Sequence, residues 1–419
     1  MIILKEKQQE LHDIVAQIGM ADSLSDSVAL FIQHKALLCN CTFILSAKEE
    51  LKSEVFVNLD FSCAGAIRGL FGTNKVVLLD QNIAQAILNG TNSTLSFDYS
   101  ISLDTQTLSY LEPYIQNKKN KIPKDFMEVF KFIMQPNINI DPMPYVFENF
   151  YKQNSPNDYD KFFLKYKYFV ILKTLDQKYL CEHNKLRSTL SETQINMRTQ
   201  QELSRMYYES NDGSQKKIFY ELDVYYCLLL QMALIHFCSY KLTALQKTKL
   251  FIEFTDRELA TIFLRESIIA HTFFQKGNNL KFFSSVQLNN SNVLKKLRNM
   301  AWDLWHIRHL ERMAKPSKEI SWFFPSFVTF DKGLIEIIDL CPLRAHAYIY
   351  EKKQPFPFYD NKILDTFNDA LPDEFSEQYF SDVAAKSRCS RRTFDTKQRI
   401  KILIDRLELE IKNYTRACP

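Results

Sequence analysis

Apolar residues recur three and four positions apart from Glu6 to about Cys39, at Leu11, Ile14, Val15 and Ile18, and that spacing predicts helix. Short strand-like pieces follow at Thr42–Leu45 and Val55–Leu59. Lys75-Val76-Val77-Leu78-Leu79 is a compact β-branched run that stops at Asp80, and a helix-like stretch from Ile83 to Leu88 ends at Asn89-Gly90. The unit repeats at once: Tyr99–Leu103 alternates as a strand does, Asp104 closes it, and Thr105–Ile115 reads as helix. From about 117 to 250 the spacing is helical, clearest over Phe162–Leu180 and Ile218–Leu245, with Pro136, Pro142, Pro144 and Pro156 marking loops. Then the mixed pattern returns. Lys249–Phe254 predicts a strand, and Thr255 with Glu258 predicts a capping box opening a helix to about Phe274. A second helix is expected over Asn292–Met313, and a strand over Trp322–Phe330 that ends at Asp331.

These elements predict an α/β protein divided as follows: a helical and mixed segment over 1–70, a first core part over 71–117, a helical insertion over 118–248, a second core part over 249–345, and a helical segment over 346–419. Composition narrows the chemistry. Only 8 of 419 residues are glycine, and there is neither a G-x-x-x-x-G-K-[ST] run nor a G-x-G-x-x-G, which excludes the glycine-rich phosphate loops. The balance of 53 basic and 49 acidic residues is too even to imply nucleic acid by itself, so a basic binding surface has to be local. Nine cysteines without a C-x-x-C pair argue against a zinc ribbon and for reduced thiols, as in a cytoplasmic protein. No uninterrupted apolar run reaches the roughly 18 residues of a membrane span.

The recurring chemical feature is an acid at the end of a strand or on the helix before one. Carboxylates gathered beyond the carboxyl ends of strands repel one another, and a hard cation among them relieves that repulsion. Two residue runs make the pattern specific: Ala301-Trp302-Asp303-Leu304-Trp305-His306-Ile307-Arg308-His309, on a predicted helix, and Phe327-Val328-Thr329-Phe330-Asp331, closing a predicted strand. This order resembles the carboxyl-terminal half of PIN-domain nucleases, in which a helix carrying an Asp precedes a strand ending in (V/L)-T-x-D. The resemblance spans about 71–117 and 249–345 and implies a parallel sheet core with the helical block inserted in it.

The resemblance implies that Asp303 and Asp331 bind metal and that Thr329 orients the second of them. The acid closing the first strand would be Asp80 or Asp104: Asp80-Gln81-Asn82 keeps the family's Asn, and Asp104-Thr105 keeps its Thr. The helix glutamate would be Glu258, in Glu258-Leu259, with Glu266 as the second choice. The expected activity is Mg²⁺- or Mn²⁺-dependent phosphodiester hydrolysis, with RNA the expected substrate. By family analogy the setting would be a toxin or an anti-phage defence effector, with room for a regulatory protein partner and for self-association. His306, Lys118, Lys119, Arg391 and Arg392 are candidates to contact substrate phosphate, the arginines within a basic run from Lys386 to Arg399.

Plainer readings exist for each residue. Asp80 and Asp104 fit helix N-caps, Asp331 fits a turn, and Asp303 fits an ion pair with Arg308 or Lys296. Two rival functions follow: a non-enzymatic, mainly helical interaction protein with scattered acids, and a hydrolase holding a transition metal on Asp303, His306 and His309.

Overall fold

The computed structural model describes residues 2–47, 58–90, 96–116, 118–135, 138–150, 156–209, 213–316, 321–360, 365, 367, 369, 371–392 and 396–417. It is a mixed α/β protein with two sheets. Two helices, α1 (Ile2–Met20) and α2 (Leu24–Gln33), pack on the first sheet. The strands that build the two sheets are β1 (Cys41–Ser46), β2 (Leu59–Asp60), β3 (Ala66–Arg68), β4 (Val76–Leu79), β5 (Ser96–Leu103), β6 (Asn139–Asp141), β7 (Lys315–Pro316), β8 (Ser321–Thr329), β9 (Leu343–Ile349) and β10 (Gln354–Tyr359).

The first sheet runs β10-β9-β1-β4 and is antiparallel throughout. The second runs β2-β3-β8-β5-β6, with β7 folded back on β8. Its centre is a parallel triplet: β5 pairs with β8 from Ser96↔Ser321 to Leu103↔Val328, and with β6 from Ser100↔Asn139 to Ser102↔Asp141. Parallel strands in register end at the same level, so residues just past Leu103 and Thr329 emerge side by side.

Between β4 and β5 lies α3 (Gln81–Leu88). Beyond β5 come α4 (Thr105–Ser109), α5 (Leu111–Ile115), α6 (Phe126–Ile133), α7 (Met143–Asn149), α8 (Pro156–Lys173), α9 (Gln177–His183) and α10 (Glu192–Glu209). The helices α4 to α8 and α10 share one core with β5, β6 and the end of β8. A larger core gathers α11 (Ser214–Cys238), α12 (Ala244–Leu259), α13 (Leu264–Lys276), α14 (Val293–Met313), α15 (Lys332–Leu340) and the final helix Thr396–Ala417. By length and composition Gln215–Cys238 could cross a membrane, but most of its apolar window is buried inside the fold.

Three predicted boundaries are corrected. Lys249–Phe254 is not a strand but the middle of α12, whose capping box is Thr243 with Gln246 rather than Thr255 with Glu258. Thr255 lies inside that helix with its side chain fully buried, and a left-handed Ala260 (φ +47°) breaks the run before α13. The segment 118–248 is mostly helical but does not stand outside the sheet, because β6 extends it beside β5. The segment 346–419 is not purely helical: most of β9 and all of β10 lie in it. Part of the strand expected over Val55–Leu59 lies outside the described residues, and β2 begins at Leu59.

Candidate functional site

The register of β5 and β8 places Asp104 and Thr329 together. Asp104 directly follows β5, and its backbone N–H donates to the Val328 carbonyl at 3.3 Å. Its carboxylate caps α4 by accepting from the Thr107 N–H and also accepts from the Thr329 hydroxyl. Thr329 is fully buried, and its oxygen in turn accepts from the Asp331 N–H at 3.0 Å. One threonine therefore ties both strand-end acids, where the sequence reading joined it to Asp331 alone. Asp331 caps α15: Oδ1 accepts from Gly333 N at 2.7 Å and Leu334 N at 3.2 Å. Its other oxygen has no hydrogen-bond partner among the described residues.

Asp303 comes from α14, which packs on β8, and the charges that act on it are those of Glu148, Asp331 and Asp104. No cation pairs with it among the described residues, and neither oxygen has a hydrogen-bond partner there. Arg308 lies five residues on, about 140° around the helix at 100° per residue, so the ion pair that would make Asp303 an ordinary surface acid does not form. Burial, then the surrounding acids, push the Asp303 carboxyl well above the usual carboxylate range. Burial likewise raises Asp104 to about 6, against its hydrogen bonds from Thr107 and Thr329. Glu148, on the short helix α7, receives a 3.1 Å contact from His306 Nε2. His306 is buried and its ring lies nearly parallel to Trp302 at 5.9 Å.

Two further groups border the cluster. Tyr110 feels the charges of Asp104 and Asp331, after burial, and its hydroxyl accepts from Gln106 at 2.7 Å. Lys165, on α8, donates to Ser109 Oγ at 3.0 Å, and Glu148 is among the charges acting on it. Neither Glu148 nor Lys165 was singled out by sequence. The available signal for Glu148 was slight: Asp141-Pro142-Met143, where Asp141 Oδ1 accepts from Met143 N at 3.0 Å and starts α7.

The other predicted residues lie elsewhere. Asp80 closes β4 in the first sheet and caps α3, accepting from Ile83 N at 2.9 Å, so it is not the first-strand acid of this cluster. Glu258 sits on α12 between Arg257 (3.1 Å) and Arg399 (3.2 Å) and is absent from the charges acting on Asp303. Glu266 is fully buried and held by both arms of Arg308, at 2.9 and 2.6 Å. The basic run is committed inward: Arg391 clamps Asp256 at 2.9 and 3.0 Å, Arg388 reaches the same carboxylate at 3.2 Å, and Arg392 donates to the Ala260 carbonyl. Arg391 therefore anchors the C-terminal segment to α12, Arg392 is tied to it through Nε alone, and the run does not form an open phosphate-binding surface beside the acid cluster. Lys118 is exposed and donates to Gln116 at 2.7 Å, while the Lys119 side chain lies outside the described residues. His309 stacks on Trp305 at 4.8 Å, and burial followed by Arg312 lowers it to about 3.

Asp104, Glu148, Asp303 and Asp331 are thus an all-oxygen donor set without a pairing lysine or arginine, which is the chemistry of a hard divalent cation. As arranged, no three His, Cys, Asp or Glu side chains among the described residues converge into a closed ligand shell. Three of the four carboxylates are turned toward protein donors. Among the described residues, oxygens without a hydrogen-bond partner remain on Asp303, Asp331 and Glu148.

In comparisons with known protein families, curated proteins and solved structures, nothing matches this chain.

Proposed function

We propose that this chain is a PIN-like, metal-dependent nuclease that hydrolyses phosphodiester bonds, with RNA as its substrate. The observation that carries the reading is Asp303. It is a partly buried carboxylate with no cation partner among the described residues, and the charges acting on it are acids, two of them at the ends of neighbouring parallel strands. Leaving such a group unpaired is costly to a fold, and sites that bind cations are where the cost is tolerated. The chain order supports the same reading: strand acid Asp104, helix acid Glu148, helix acid Asp303, strand acid Asp331. This assigns the helix glutamate to Glu148 in place of Glu258, and the first acid to Asp104.

Asp104, Asp303, Asp331 and Glu148 would hold Mg²⁺ or Mn²⁺, which supplies Lewis-acid activation of water and of the phosphate. The chain's own groups do the rest. Thr329 fixes Asp104 and the backbone of Asp331 relative to each other. His306 steadies Glu148. Lys165 is the nearby cation suited to a non-bridging phosphate oxygen, and Tyr110 borders the strand-end acids. The raised proton affinity of Asp303 and Asp104 means that a cation entering the cluster would compete with protons, so its binding would strengthen as pH rises.

The test is cleavage of labelled single-stranded RNA with Mn²⁺, with Mg²⁺ and with EDTA, beside Asp303→Ala and Asp80→Ala. Metal-dependent cleavage that survives Asp80→Ala and is lost in folded Asp303→Ala is expected. Equal cleavage by Asp303→Ala and wild type would overturn the assignment.

A further inference from the structure

A second site lies on the opposite side of α14. A cavity of about 350 Å³ is bounded by α11, the carboxyl end of α12, and the C-terminal segment carrying Arg392 and Arg399. Arg312 reaches it from α14, nine residues after Asp303 and so about 180° around the helix. The volume lies within the range typical of small-molecule sites, roughly 300–1,000 Å³.

Its charges do not cancel. Arg312 is paired with Glu221 at 2.7 Å, and Arg399 with Glu258 at 3.2 Å. Arg392 has no carboxylate partner among the described residues. Its Nε donates to the Ala260 carbonyl at 3.1 Å, and both terminal nitrogens are left without a partner there. Helix capping accounts for that single bond and leaves the fork unused.

Tyr225 provides an independent observation. It lines the cavity at 8% exposure, and its hydroxyl makes no hydrogen bond among the described residues. The hydroxyl is not one of the fully enclosed orphan atoms, so it keeps some solvent access, and Tyr225 is part of the cavity wall. A buried hydroxyl without a partner is disfavoured unless a ligand or water satisfies it. The rest of the lining is mostly apolar, with Val224, Leu259, Phe263 and Ile400 beside Tyr220 and Thr261.

We propose that this cavity binds a small organic anion with a planar aromatic body, its phosphate or carboxylate held by the Arg392 fork and the Tyr225 hydroxyl. One net positive charge matches one anionic group. A guanidinium fork binds both kinds of anion in the same bidentate manner. The apolar wall accounts for the aromatic body. The site uses none of the four acids, so it stands or falls apart from the nuclease reading.

The experiment is calorimetric titration of the full chain with AMP, benzoate and adenosine. AMP or benzoate should bind once per chain, with adenosine at least about tenfold weaker because it lacks the anion. AMP alone would identify the phosphate as the recognised group, and benzoate alone the carboxylate. Arg392→Ala should weaken binding about tenfold or more, and Tyr225→Phe, which removes one oxygen, a few-fold. Saturation by neither anion at millimolar concentration overturns the proposal. So does adenosine binding as tightly as AMP, or wild-type affinity in both variants.

Discussion

Two groups of charge meet on the helix α14, and they are built on opposite rules. On one face Arg308 holds Glu266 with both arms, reaches Glu311 at 2.8 Å and donates to the Tyr359 hydroxyl at 2.5 Å. Arg265 closes this network on Glu311 at 2.7 Å. Every carboxylate there has a guanidinium. Burial alone would raise Glu311, but Arg308 and Arg265 outweigh it and hold it at about 2. On the other face Asp303 has only acids around it, and its proton affinity moves the opposite way. Glu266 and Glu311 are the more deeply buried carboxylates, yet Glu311 is lowered and Asp303 raised, so compensation decides the direction. The compensated cluster joins α13, α14 and β10, whereas the other leaves its acids without a counter-charge among the described residues.

The largest effect should come from breaking the compensated side. Arg308→Ala strands Glu266 and half of Glu311, and should cost about 3–5 kcal/mol in urea unfolding. Asp303→Asn removes a charge that nothing balances, and should leave stability unchanged or higher. Similar losses in both variants would dissolve the contrast.

The pH dependence sharpens it. The folded-state value of Asp104 is raised from 3.8 to about 6, so its folded form binds the proton more tightly. Its contribution is therefore most favourable in acid and is lost as pH rises from about 4 through 6, by about 3 kcal/mol at 1.36 kcal/mol per unit. Glu311 is lowered from 4.5 to about 2, so its contribution is present above about 4.5 and lost as pH falls toward 2. His309, lowered to about 3, and His346, lowered to about 4, add stability as pH rises, so the readout is a difference: from pH 4 to 8 the urea midpoint of Asp104→Asn should gain on that of the wild type. A difference between the two proteins that stays constant with pH would contradict the raised proton affinity of Asp104.

A divalent cation should then repair the acid face alone. At pH 7.5, Mn²⁺ or Mg²⁺ at a hundred times its dissociation constant should add about 2.7 kcal/mol. The gain should vanish in Asp303→Ala, persist in Arg391→Ala, and shrink below pH 6 as protons compete. Thermal unfolding with and without EDTA measures it, and a gain that survives Asp303→Ala would place the cation elsewhere.

What the sequence disclosed follows the range of the forces involved. The helix over Val293–Met313 and the strand over Ser321–Thr329 were legible because each shows its own periodicity and closes on a marked residue. Asp303, Asp331 and Thr329 came with them. Glu148 was not legible: α7 is seven residues long behind two prolines, and β6 is three, too short for any period to register. Lys249–Phe254 misled for the same reason. Six apolar-rich residues fit either period, and the burial of Phe251, Ile252 and Thr255 reveals a helical face only once the capping box at Thr243 is seen. The basic run looked available because its partner, Asp256, lies more than a hundred residues away.

The smallest effect separates the two candidates for the first acid. Asp80 and Asp104 look alike locally: each ends a strand, and each caps the next helix by accepting an N–H three residues on. Only pairing distinguishes them, since β4 lies against β1 while β5 lies against β8 and its acid. Asp80→Ala should therefore lose one N-cap, about 1 kcal/mol of stability, and leave both cleavage and cation stabilisation at wild-type levels. Asp104→Ala loses the same kind of cap and, in addition, the carboxylate that Thr329 holds in the cluster. The paired measurement of unfolding midpoint and cleavage rate isolates that second loss. If the two variants behave alike, capping is all that either aspartate does, and the site must be rebuilt without Asp104.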